Sequence, residues 1–176
     1  LLKDGRIIRV PPSADVFCAR RVWDHGAEAG PTTKHVEEAF RDLADKIVGW
    51  QLHTFDASAN ETATAFFALM VAREETRRSR PEAVSFPGRT GHDLGLEDQE
   101  RLEKRGVMVL QKDGTLGSRT AAGIRIRGQI TWAKRNWSDW RWGIVRSPGP
   151  EFIVPDVIGS LNFIPIGPRV LLAAGN

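Results

Sequence analysis

Apolar residues at Val36, Phe40, Leu43, Ile47 and Trp50 follow one another at spacings of four, three, four and three. That period puts them on one face of a helix and argues against a strand, in which each three-residue step would carry the stripe to the opposite face. The spacing predicts a helix over Thr33 to about Leu52, with Thr33 as N-cap and Glu37 and Glu38 in the early turns, where the helix dipole favours negative charge. A second helix is expected from Ser58, because Glu61 follows at the capping-box spacing. It runs through "TATAFFALMVAREETRRSR" until Pro81 removes a backbone donor. Ala63, Phe66, Phe67 and Met70 form its expected buried face, and Arg77, Arg78 and Arg80 crowd its end beside the last carbonyls.

Residues 81–96 are rich in Gly, Pro and polar side chains and read as a loop. A short helix over Glu97 to Arg105 should stop at Gly106, and "GVMVLQKDGTLGS" allows either a strand with a turn at Asp113-Gly114 or a helix end. Helical spacing returns over Arg119 to Ser138 through Ala122, Ile126, Ile130, Ala133 and Trp137. The period then changes. "WRWGIVRS", "FIVPD" and "LNFIPIGPRVLLAAG" are short apolar runs punctuated by Pro and Gly, as in three or four strands, and "RIIRV" before Pro11 suggests another short strand near the start. The expectation is an α+β fold: three long helices in the first part, then a small C-terminal antiparallel sheet, in one domain over residues 1–176. Leu1 opens a stretch that reads as the middle of a chain, so a preceding segment is expected.

Several pieces in this order resemble a known family. "FFALMVAREETRR" on the second helix, "RNWSDWRWGIVRS" leading into "FIVPD", and "FIPIGPRVLLAAG" at the end are similar to the uncharacterised, mainly bacterial family called domain of unknown function 4238. The resemblance implies a helical first half, a strand ending in an aspartate and a closing strand pair rich in Phe and Pro. It supplies no settled activity. The family opens with a segment rich in His and Pro that would precede Leu1, and its aspartate is followed by a small polar residue and Pro, where Val157 and Ile158 follow Asp156 here.

The chemistry that the residues exclude is more definite than the chemistry they offer. No apolar run approaches the roughly 20 residues of a membrane span, and no signal-peptide pattern opens the chain, so a cytoplasmic protein without membrane partners is expected. The lone Cys18 cannot form an intrachain disulfide and reads as a buried thiol. Pro155-Asp156 invites comparison with nucleases that add a second carboxylate and a lysine downstream. No Asp, Glu or Lys lies between Asp156 and Asn176, so Asp156 reads as a turn residue or a partner for Arg146 or Arg169. His35 with Glu38 and His53 with Asp56 stand at three-residue spacings that would suit a metal-dependent hydrolase, the alternative function, whose site would draw on these four or Asp156 together with residues upstream of Leu1. Two ligands per segment do not make a site, and His25 and His92 fit loops, so neither metal nor cofactor is expected. No nucleophile-elbow spacing and no phosphate-cradling Gly-rich loop occurs.

One window stands apart. Between Ser118 and Arg146 lie seven basic residues, Arg119, Arg125, Arg127, Lys134, Arg135, Arg141 and Arg146, against one acid, Asp139. Four of the six tryptophans, Trp132, Trp137, Trp140 and Trp142, share it, in a chain whose net charge is only +3. Arg127 and Lys134, seven apart, share a helix face with Arg135 beside them. The expected function is a nucleic-acid- or protein-binding module in which Arg127, Lys134, Arg135 and Arg141 meet phosphates and Trp140 stacks on a base. The competing expectation is that the tryptophans fill core while the arginines cover them from solvent.

Overall fold

The structure is a computed structural model, and it describes residues 23–79, 81–152 and 162–175. Helix α1 spans His25–Ala29, α2 Pro31–Val48, α3 Ala57–Ser79, α4 Leu96–Lys104 and α5 Ser118–Asn136. Strands β1, Val84–Ser85, and β2, Thr115–Leu116, pair with each other, and β3, Arg141–Arg146, β4, Phe163–Gly167, and β5, Val170–Gly175, form an antiparallel sheet in the order β3-β5-β4. The fold is α+β, with the sheet at the C-terminal end of the described chain. No helix among the described residues is long and apolar enough to cross a membrane. Asp156, Cys18, Arg80 and the strand expected near the start lie outside the described residues.

Helix α2 buries Val36, Phe40, Leu43 and Ile47 as the spacing requires, but its ends differ from the expectation. Pro31 occupies the first turn, where its missing N–H costs nothing, so the helix begins earlier and Gly30 is the N-cap. Thr33 is therefore sealed inside the first turn, its hydroxyl donating to the Gly30 carbonyl at 3.1 Å. At the other end the Gly49 N–H donates to Asp45 O, and Trp50 follows at φ 58°, a left-handed conformation that ends the helix before Leu52. That turn swings Trp50 off the buried stripe and leaves it 63% exposed, beneath the guanidinium of Arg146 at 3.8 Å from the ring centroid.

Helix α3 is the central helix. Its N-cap is Asp56, whose Oδ1 accepts from the Ala59 N–H at 2.7 Å, in place of the expected Ser58 and Glu61 box. Ala63 and Phe67 are buried and Phe66 and Met70 half-buried, but Ala59, Thr64, Ala65, Ala68, Leu69, Ala72 and Thr76 are buried as well. A helix so widely covered needs neighbours on several sides: α2 and α5 pack along α3, and β3 meets it too. Arg77 and Arg78 turn back to Glu74 on their own helix, at 3.1 and 2.8 Å, instead of reaching the last carbonyls.

Among the described residues two apolar clusters result. One joins α2, α3 and the sheet through Phe40, Ile47, Phe67, Trp142, Ile164 and Leu172, and the other joins α1, α2, α3 and α5 through Ala27, Val36, Leu69, Ile126 and Ile130. Phe67 is the hub of the first, touching the rings of Trp137, Trp140 and Trp142 at 5.5–5.9 Å. Replacing a fully buried Phe of this kind with Ala typically costs about 3–5 kcal/mol. Residues 81–117 form a looser lobe. The expected loop contains β1, the Gly114 turn at φ 75° feeds β2, and α4 has no buried residue.

Candidate functional site

Helix α5 positions most of the cationic window, and the helix surroundings decide which of its charges face solvent. Arg119 is bound to Glu103 at 3.0 Å, and Arg125 donates to Ser79 Oγ at 3.2 Å. Arg127, expected on an outward basic face, instead makes a forked contact with the buried Asp24, its Nη1 2.9 Å from Oδ1 and its Nη2 3.2 Å from Oδ2. Such planar pairing satisfies both partners and leaves this arginine committed to the fold. Arg119 and Arg127 are therefore structural, while Arg125 is exposed. Two turns beyond Arg127 the exposed charges resume at Lys134 and Arg135 and continue to Arg141 on β3.

Lys134 reaches across to Glu61 on α3, 3.0 Å away, an exposed pair worth well under about 1 kcal/mol and easily opened. Arg135 has no ion-pair or hydrogen-bond partner among the described residues. Arg141 is aimed by its own backbone, with Nη1 donating to the carbonyls of Ser138 at 3.2 Å and Trp140 at 3.0 Å.

The tryptophans form a graded row from solvent to core. Trp132 is 55% exposed and meets the ring of Trp137 edge-on at 5.8 Å. Trp137 caps the C-terminus of α5 and stacks on Trp140 at 4.7 Å with planes 12° apart. Trp142 is 4% exposed, and its indole N–H donates to the buried Thr64 hydroxyl at 3.0 Å. Both expectations for these residues meet here, since Trp142 is core, Trp132 is surface, and Trp137 and Trp140 are half-buried between them.

Where α3 begins and α5 ends, a cleft of about 480 Å³ opens. Phe55, Trp137 and Trp140 supply its aromatic wall, and Asp56, Glu61, Lys134 and Arg141 its charged groups. Lys134, Trp140 and Arg141 are thus brought together at one opening. Arg127 is not among its lining residues, and Arg135 lies beside Lys134 on α5 without lining it. Phe55 and Glu61 escaped the sequence as parts of a site, because nothing in local spacing announces that the start of α3 faces the end of α5.

Of the residues of the hydrolase alternative, Asp156 lies outside the described residues, and His35, Glu38, His53 and Asp56 belong to no group placed to hold a metal. His35 and His53 are exposed, Glu38 pairs with Lys34 at 3.6 Å, and Asp56 is occupied as the α3 cap. Among the described residues no group of three or more His, Cys, Asp or Glu is placed to hold a metal. His92 lines a separate hollow of about 160 Å³ with Glu103 and Arg119. Among the described residues two carboxyls are held below their ordinary range. At Asp113 the Thr115 hydroxyl and N–H stabilise the charged form; at Glu74 burial pushes upward, but hydrogen bonds from Arg77 and Arg78 outweigh it. Neither lines the cleft.

No protein-family model, curated protein or solved structure matches this chain.

Proposed function

We propose that the protein is a nucleic-acid-binding module that holds single strands along the face formed by Trp132, Lys134, Arg135, Trp140 and Arg141. The observation carrying this reading is the juxtaposition of half-exposed indole rings with two exposed cations, Lys134 and Arg141, at one cleft and a third, Arg135, beside it. Bases of any identity stack on such rings, and cations spaced along the rim meet successive phosphates. A single strand suits the face better than a duplex. Stacking needs splayed bases, and two of the arginines that would have extended a phosphate-tracking face along α5, Arg127 and Arg119, are tied to Asp24 and Glu103. A protein with this role works in the cytoplasm, where single-stranded RNA is abundant.

The test is fluorescence anisotropy of labelled single-stranded and duplex oligonucleotides, titrated at low and near-physiological salt beside an Arg135→Glu, Arg141→Glu double variant. Single strands should bind more tightly than duplex, with log K falling against log salt at a slope of roughly −2, as three phosphate contacts to a single strand imply. The variant should lose most of that binding while keeping its helical circular dichroism. Salt-independent binding, or binding unchanged in the variant, defeats the proposal.

A further inference from the structure

We infer that the cleft between α3 and α5 selects guanine as the base it stacks, with Glu61 as the reading residue; this rests on the single-strand reading above and adds a specificity to it. The lining is of mixed charge, and that mixture limits the ligand. Beside the rings of Phe55, Trp137 and Trp140 stand two carboxylates, Asp56 and Glu61, and two cations, Lys134 and Arg141. A simple anion is repelled by the first pair and a simple cation by the second. A nucleotide unit satisfies both, with a flat ring for the indoles, a phosphate for the cations and N–H donors for the carboxylates.

The carboxylates then discriminate among the bases, because an ionised carboxylate only accepts hydrogen bonds. Guanine presents N1–H and the N2 amino group side by side, two donors at the spacing of the two oxygens of one carboxylate. Adenine and cytosine offer one amino group beside a ring nitrogen acceptor, and uracil flanks its single N–H with two carbonyls that a carboxylate repels. Recognition of an unpaired base through its Watson–Crick edge, with stacking on aromatic rings, is the usual mode for single strands.

Of the two acids Glu61 is free to do this. Asp56 is committed to the Ala59 N–H as the cap of α3, whereas Glu61 is 68% exposed and engages Lys134 through Oε1 alone. Its other oxygen has no partner among the described residues. A base drawing Glu61 inward releases Lys134 toward the adjoining phosphate, so base and backbone recognition reinforce each other.

The experiment uses five-nucleotide oligouridylates with guanine, adenine, cytosine or uracil at the centre, titrated by anisotropy against the wild type and a Glu61→Gln variant, with free GMP as competitor. The guanine-centred strand should bind about tenfold more tightly than the all-uracil strand. Glu61→Gln should bring the two within about twofold, without weakening the all-uracil strand. Equal binding of all four strands by the wild type overturns guanine selection and leaves the single-strand reading standing. A preference that survives in Glu61→Gln overturns the role of Glu61. Binding of none overturns both, and free GMP competing as well as the strand keeps guanine recognition but overturns the strand reading.

Discussion

Arg127 and Asp24, 103 positions apart in sequence, form a forked ion pair that ties the start of α1 to the middle of α5. Asp24 also caps α1 through the Ala27 N–H at 2.8 Å, so one carboxylate serves two elements. Its side chain is 7% exposed against 31% for Arg127. Removing Asp24 leaves a half-buried guanidinium unpaired and a helix uncapped, and Asp24→Ala should cost about 3 kcal/mol in urea unfolding. The Asp24→Ala, Arg127→Met double variant should recover part of that loss, since no uncompensated charge then remains. A double variant as unstable as the sum of the single ones would show that the two side chains act independently.

Gly123 sits directly beneath that pair. A Cβ there would lie 2.1 Å from Asp24 Oδ1, and the carboxylate cannot swing away without releasing Arg127 and the α1 cap. Gly128, five residues along the same helix, has open space around its Cβ position. Gly128→Ala should therefore stabilise by up to about 1 kcal/mol, following helix propensity, while Gly123→Ala should destabilise by about 1–3 kcal/mol. Thermal unfolding of the two variants side by side checks the opposite signs.

The contrast shows which parts of the fold were legible in the sequence. The stripes Val36 to Ile47 and Ala122 to Ala133 announced α2 and α5, because burial on one face imposes a period that needs no knowledge of the partner. Helix ends were less legible. Thr33 and Ser58 both had cap chemistry, but Pro31 and Asp56 offered starts that left fewer backbone groups unpaired. Least legible was the fate of each charge. Arg127 and Arg135 look alike in sequence, and only a carboxylate about a hundred residues upstream makes the first structural while the second remains exposed. The cleft could be half read for the same reason: its cations and indoles are close in sequence, but Phe55, Asp56 and Glu61 arrive through the packing of α3 on α5.

Trp142 carries its polar atom into the core and depends on Thr64 to satisfy it. Thr64→Val keeps the shape of the side chain and removes the acceptor, leaving an indole N–H buried without a partner. That substitution should cost about 1–3 kcal/mol. Thr64→Ser keeps the hydroxyl and loses only a methyl group, so it should cost less, about 1 kcal/mol. Chemical denaturation followed by tryptophan fluorescence ranks the two, and a Val variant as stable as the wild type would mean that the indole N–H finds another acceptor.

The Gln111–Gly114 turn that leads into β2 should respond to acid through Asp113. The Thr115 hydroxyl donates to Asp113 Oδ1 at 2.7 Å and the Thr115 N–H at 3.0 Å, and together they hold the carboxyl below the usual aspartate range. A folded-state pKa below the unfolded value means that the unfolded chain binds the proton more readily. The contribution of the turn is therefore fully present above the ordinary aspartate pKa of about 3.9 and fades as pH falls through the lower folded value. Carboxyl chemical shifts followed by NMR should place the Asp113 midpoint below that of an unstructured aspartate. Thr115→Val removes the hydroxyl and keeps the backbone donor, so the midpoint should rise part of the way back. A midpoint that does not move would assign the depression to the backbone N–H alone.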